Sequence, residues 1–179
     1  MAVTSSVPDE GKTTTAICLA RSAALSGRRT LLIDCDLRRH ASSRTLTPGP
    51  SVGLVEVLTG TASLESAVVR DDASGAFVLP QAASSDPLYD IIASHQMEAL
   101  LRRTRDMFDL VVLDTAPVLP VAESRGLAAM ADATILVVRW RRTPVKIAQM
   151  ALEQLDRAGA RVLGTLLAQV DVRSRAGSS

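Results

Sequence analysis

Ser6-Val7-Pro8-Asp9-Glu10-Gly11-Lys12-Thr13 follows G-x-x-x-x-G-K-S/T, with Ser6 at the place of the first glycine. Such a loop turns backbone N–H groups onto a polyphosphate, and a helix N-terminus behind it adds partial positive charge. Gly11 lets the backbone approach, Lys12 reaches the β- and γ-phosphates, and the Thr13 hydroxyl can ligate Mg²⁺. Two other stretches end in carboxylates. Leu31-Leu32-Ile33-Asp34-Cys35-Asp36-Leu37-Arg38 sets two aspartates at i and i+2, which face the same way on an extended segment. Leu110-Val111-Val112-Leu113-Asp114-Thr115-Ala116-Pro117 repeats the plan with one. A lone aspartate at a strand end reads best as a cap or turn former. Three of them around Lys12 and Thr13 point instead to Mg²⁺ held against a triphosphate.

The elements that must position these groups are legible. A helix-compatible run follows the loop, Thr14 to Ser26, and Gly27 breaks it. Thr30 to Asp34, Leu110 to Asp114, Thr134 to Val138 and Val162 to Val170 read as buried parallel strands, with Phe77 to Leu79 a shorter one. Helical spacing covers Leu54 to Leu58, Leu64 to Val69, Ile91 to Met107, Leu127 to Met130 and Ile147 to Leu155. Arg39 to Val52, rich in Ser, Thr, Pro and Gly, reads as an exposed loop, and so does Ala82 to Asp86. The alternation predicts an α/β fold: a doubly wound, mostly parallel sheet with helices on both faces, in one domain over 1–179. In such sheets ligands bind at the carboxyl ends of the strands, where all three aspartates stand.

Composition narrows the function. With 20 Lys plus Arg against 19 Asp plus Glu, net charge favours neither nucleic acid nor an acidic partner. Phe77, Phe108, Tyr89 and Trp140 are the only aromatics, too few for a base-stacking platform. Cys18 and Cys35 lack ligand spacing and read as buried free thiols in a reducing compartment. No apolar run is long enough to span a membrane. His40 and His95 are single and polar-flanked, which suits surface roles. Arg102, Arg103 and Arg105 read as the solvated face of a helix that buries Leu100, Leu101 and Met107. Arg139-Trp140-Arg141-Arg142 suits either a nucleotide contact or a subunit interface.

Together the phosphate loop, apolar-Asp-x-Asp-x-Arg and apolar-Asp-x-x-Pro resemble the bacterial tyrosine kinases of capsule and exopolysaccharide synthesis. Those enzymes use Walker A, A′ and B segments. The likeness extends to Thr4-Ser5-Ser6-Val7-Pro8, Gly53-Leu54 with Leu58-Thr59-Gly60, and Ile91-Ile92-Ala93-Ser94. It continues through Asp114 to Pro120, Asp132-Ala133 leading to Val137-Val138-Arg139, and Gly159 to Gly164. The resemblance implies ATP and Mg²⁺ as cofactors. Pro8, Asp9, Glu10, Gly11, Lys12, Thr13 and Thr14 would bind the nucleotide, and Thr13, Asp36 and Asp114 the metal. Asp34, Lys12 and Asp36 would be catalytic, Asp34 as the base that takes the tyrosine proton. Arg38 would support the loop or an intermolecular contact. Implied partners are a membrane chain-length protein as activator, a tyrosine substrate in trans and further copies of the chain, with no nucleic acid. The implied location is cytoplasmic, at the inner membrane.

Four positions depart from the family pattern. The end, Arg173 to Ser179, lacks a tyrosine cluster, and Tyr89 is the only tyrosine. Only Met1 to Ser5 precede the loop, which suggests a very short first strand or a piece of a longer chain. Asp9 brings negative charge near phosphates unless it points to solvent, and Ala168 stands where an asparagine near the adenine is common. Two rival readings share the fold: a partition- or septum-type ATPase, and a nucleotide-binding partner that regulates by docking. Val7 stands where the ATPase group carries its signature lysine.

Overall fold

The computed structural model describes residues 1–47, 49–82, 91–92 and 94–171. An interior strand of its sheet is β1 (Ala2–Ser5), four residues long and completely buried. β1 lies between β5 (Leu110–Thr115) and β6 (Thr134–Arg139), parallel to both. Outward from β5 come β2 (Thr30–Cys35), β4 (Phe77–Leu79) and β3 (Val69–Arg70), and outside β6 lies β7 (Val162–Ala168). Among the described residues only the β3–β4 pair is antiparallel. Chain order reverses around β1, so the loop after it opens at the switch point where open sheets take ligands.

Strand alternation divides the core. Val3, Leu32, Val112 and Val137 pack with Ala16, Ile17 and Ala20 of α1 (Lys12–Leu25). The opposite strand faces, with Leu31, Ile33 and Leu113, pack under α3 (Leu54–Leu58), α4 (Leu64–Ala67), α5 (His95–Met107) and α6 (Glu123–Met130). Leu136 and Val138 meet Ala151 and Leu155 of α7 (Val145–Arg157). Leu31, Leu32 and Ile33 are each fully buried, and burial of such a side chain contributes about 1.5–3 kcal/mol. The doubly wound expectation holds, with helices on both faces.

Several expected boundaries moved. Arg39 to Val52 is not all loop, because α2 (Ala41–Leu46) lies within it. The first helix starts at Lys12, directly on the loop glycine, and α6 starts at Glu123 rather than Leu127. The helix expected from Ile91 begins at His95, where the Ser94 hydroxyl caps it, and the last strand ends at Ala168 rather than Val170. Cys35 is buried as expected, but Cys18 is exposed. Cys18 follows Ile17 on a helix that buries Ala16, Ile17 and Ala20, and helical rotation turns it off that face. Tyr89, the Ala83 to Asp86 part of the expected loop, Ala93 and the Arg173 to Ser179 end lie outside the described residues.

Candidate phosphate and metal site

Fully buried β1 delivers the chain to the loop. The Thr4 hydroxyl donates to Ala116 O at 3.0 Å, and Val118 N–H to Ser5 O at 2.9 Å. The stretch after β5 is thereby strapped beside the loop. Gly11 then turns at φ 95°, a left-handed conformation that favours glycine, and α1 begins. A cavity of about 330 Å³ lies in front of the helix N-terminus. Pro8, Asp9, Gly11, Lys12, Thr13 and Thr14 line it, with Arg39, Ala41, Pro117, Arg139 and Gln169 completing the wall. Six of the seven expected nucleotide residues therefore share one wall. Glu10 does not, and its side chain is buried behind the loop. The Asp9 carboxylate is 70% exposed and pairs with Arg39 Nη1 at 2.5 Å.

Lys12 Nζ lies 3.0 Å from Asp36 Oδ2, 3.1 Å from Asp114 Oδ1 and 3.1 Å from Thr13 Oγ1. The Thr13 hydroxyl donates to Asp114 Oδ1 at 3.3 Å. Burial alone would lower the lysine's pKa, but the paired Asp114 and Asp36 carboxylates outweigh it and hold the ammonium above its ordinary value. Burial pushes the Asp114 carboxyl up to about 6, against the pull of Lys12. Asp114 Oδ2 is buried without a hydrogen-bond partner. That orphaned oxygen, the Asp36 carboxylate and the Thr13 hydroxyl form a hard-oxygen set that fits Mg²⁺, whose remaining sites are usually filled by water and phosphate.

The other expected catalytic residue has different company. Asp34 is fully buried, and its Oδ2 accepts from Ser43 N at 2.9 Å and from Ser43 Oγ at 2.5 Å. Its Oδ1 accepts from Asp36 N at 3.1 Å. Gln81 fixes the same cluster, donating from Nε2 to Asp34 O and from its backbone N to Ser43 Oγ. β2 ends at Cys35, so Asp36 already belongs to a turn, its Oδ1 accepting from Arg38 N and Arg39 N. The two aspartates therefore diverge: Asp36 reaches Lys12 and Asp34 anchors α2.

Sequence reasoning missed Ser43, Gln81, Arg39 and Gln169, none of which stands in a recognisable pattern. A second, mostly apolar cavity of about 520 Å³ shares Gly11, Thr14 and Gln169 with the first and extends along Cys18, Leu19, Leu166 and Ala168. Ala168 thus stands next to the phosphate cavity. In the arginine cluster, Arg139 reaches the cavity wall, while the Arg141 guanidinium lies 4.5 Å from the Trp140 ring centroid. His95 is exposed, as expected, and the His40 ring contacts Leu37 O at the start of α2.

A family model described as an AAA domain matches residues 8–162. The succinoglycan biosynthesis transport protein ExoP of Rhizobium meliloti (strain 1021) is 36% identical over 175 residues, covering 96% of this chain and 22% of ExoP. Tyrosine-protein kinase CpsD of Streptococcus pneumoniae is 32% identical, over 96% of this chain and 76% of CpsD. The solved VpsO kinase domain superposes with a TM-score of 0.89 at 34% identity, covering 95% of this chain and 84% of that one. The chain thus spans about a fifth of ExoP and about three quarters of CpsD. With the loop lysine, the Thr13 hydroxyl and two strand-end carboxylates gathered on one wall, this chain belongs to the bacterial tyrosine-protein kinases built on a P-loop AAA domain.

Proposed function

We propose that the chain transfers the γ-phosphoryl group of ATP to protein tyrosine, within a system for synthesis and export of a surface polysaccharide. The observation that carries this is the Lys12 cluster at the cavity, with Asp36, Asp114 and Thr13 within about 3 Å of its ammonium or of one another. Loop N–H groups and the α1 N-terminus bind the phosphates. Lys12 exchanges a carboxylate for a β- or γ-phosphate oxygen. Asp36, Asp114 and Thr13 would hold Mg²⁺, which when bound neutralises charge on the transferring group. The acceptor phenol oxygen bonds to the γ-phosphorus as the bond to the ADP oxygen breaks, and its proton passes to a carboxylate. A phenol of pKa about 10 gives up its proton late, so placement matters more than the base's resting pKa. Asp34 remains the proposed base. It takes the proton only by exchanging the Ser43 hydroxyl for the phenol.

The proposed partners are a membrane chain-length protein that activates the domain, a tyrosine-bearing substrate in trans, and further copies of this chain. No described helix is long and apolar enough to cross a membrane. A place at the inner membrane would therefore come through such a partner or another segment. The test is transfer of labelled phosphate from ATP–Mg²⁺ to a tyrosine-rich peptide, with Lys12→Ala as control, the activator segment in parallel and free phosphate counted. Phosphotyrosine that disappears with Lys12→Ala supports the kinase. Free phosphate without phosphotyrosine supports the ATPase reading. Binding of ATP with neither product supports the docking partner.

A further inference from the structure

We infer that Glu10 is a positioning residue, through which the turn after β6 sets the shape of the phosphate loop. The inference rests on the proposed nucleotide at that loop. Glu10 stands between Asp9 and Gly11, which both line the phosphate cavity, yet it points away and is 2% exposed. Its two oxygens have separate duties. Oε2 accepts the Val7 N–H at 2.9 Å, and Oε1 accepts the Thr143 hydroxyl, 133 residues along the chain. Thr143 Oγ1 also accepts Arg139 N–H at 3.0 Å, and Thr143 N–H returns to Arg139 O at 3.0 Å. One threonine therefore closes the Arg139–Thr143 turn and fastens it to the loop.

The connection also closes from the other side. Trp140 N–H donates to Ala168 O at 3.0 Å, and the next residue, Gln169, donates from Nε2 to Asp9 O at 3.2 Å. Asp9 and Glu10, adjacent on the loop, are thus held by two arms that start from the same turn. A carboxylate facing the cavity would repel phosphate. Turned inward, it instead consumes the Val7 N–H and fixes the loop's curvature. A buried carboxylate that loses a partner bears its desolvation cost, so the loop must shift when the turn lets go. The turn in turn presents Arg139 to the cavity and the Trp140–Arg141 pair to its surroundings.

The test compares Thr143→Val, Thr143→Ser, Glu10→Gln and Glu10→Ala in equilibrium binding of a fluorescent ATP analogue with Mg²⁺, and in hydrogen exchange at the Val7 amide. Thr143→Val, which keeps shape and removes the hydroxyl, should weaken binding about tenfold, about 1.4 kcal/mol, and speed Val7 exchange. Thr143→Ser should restore both. Glu10→Gln can accept Val7 N–H and donate to Thr143, so it should stay within about threefold of wild type. Glu10→Ala should fall with Thr143→Val, and the double variant no further. At saturating nucleotide, turnover of Thr143→Val should be nearly unchanged while its KM rises. Unchanged affinity in Thr143→Val overturns the inference, as does Glu10→Gln behaving like Glu10→Ala, since the hydrogen bonds that glutamine keeps to Val7 and Thr143 would then not be what holds the loop. If Thr143→Val does not fold, the two Glu10 variants decide alone. A wild-type chain that binds ATP but transfers nothing would fail the kinase reading and leave these comparisons readable.

Discussion

Lys12 Nζ lies 3.1 Å from Asp114 Oδ1, so the loop lysine ties the end of β5 to the start of α1 from within the protein. Asp36 Oδ2, 3.0 Å away, brings the end of β2 into the same contact. One ammonium thus draws carboxylates from the ends of two strands to the start of α1. Phosphate must compete with two carboxylates for this lysine, and Mg²⁺ on those carboxylates would release it. Metal and nucleotide binding are therefore expected to reinforce one another.

Replacing Lys12 by Met should cost stability as well as nucleotide binding. It leaves Asp36 and Asp114 facing each other in a buried site, and stripping one partner from a buried ion pair typically costs about 3–5 kcal/mol. Urea unfolding of the nucleotide-free chain measures this. In an Asp36→Asn/Asp114→Asn background the same change should cost much less. An equal cost in both backgrounds would show that Lys12 matters through packing.

Asp114 gives the stability a pH dependence of definite sign. Burial pushes its carboxyl up to about 6 from an ordinary 3.8, Lys12 opposing and Asp34 adding to the rise. The folded state then binds the proton more tightly than the unfolded chain. Stability is lost as pH rises from about 4 to about 6, at up to about 1.4 kcal/mol per unit, with no further change from this group above. Asp114→Asn should remove that segment, so the difference in unfolding free energy between wild type and variant should slope only inside the window. A slope of opposite sign would mean that Lys12 keeps the carboxyl ionised on folding.

Gly53 tests how tightly the region beside the site is built. A Cβ there would lie 2.4 Å from Pro80 O and 2.5 Å from Ala82 N, both backbone atoms on either side of Gln81. Gln81 is the residue that fixes Asp34 and Ser43. Gly53→Ala should therefore destabilise by about 1–3 kcal/mol, as overpacking does, and shift the Gln81 backbone. Denaturation midpoints together with backbone amide shifts around Gln81 provide the check.

Where a residue's neighbours are local or strictly periodic, the chain announced its structure. Apolar runs ending in aspartate marked β2 and β5, and the Gly11-Lys12-Thr13 step marked the loop and the start of α1. Ala41-Ser42-Ser43-Arg44-Thr45-Leu46 offered no such pattern: its first turn is held by the Asp34 carboxylate, nine residues earlier, which accepts the Ser43 N–H. β3, two residues long, exists through its pairing with β4 rather than any propensity of Val69-Arg70. Glu10 was legible as a loop member, but its inward turn depends on Thr143, whose distance along the chain leaves no local trace. The spacing of Asp34 and Asp36 suggested one shared role. The turn that starts at Asp36 and the presence of Ser43 separate them.

That separation makes a paired experiment on Asp34 and Ser43 informative. Asp34→Asn should leave ATP affinity within about threefold and reduce transfer by at least about a hundredfold, the range of a lost general base. Lost ATP–Mg²⁺ binding would instead place Asp34 in the metal site. Ser43→Ala deprives Asp34 Oδ2 and Gln81 N–H of a shared buried partner, so it should cost about 1–3 kcal/mol in urea unfolding. Its effect on transfer has the opposite expected sign. A phenol arriving at Asp34 would no longer have to displace the serine hydroxyl, and turnover at a temperature where both proteins are folded should hold or rise. If Ser43→Ala and Asp34→Asn lose transfer equally, the pair serves to anchor α2, and the base must be sought at Asp36.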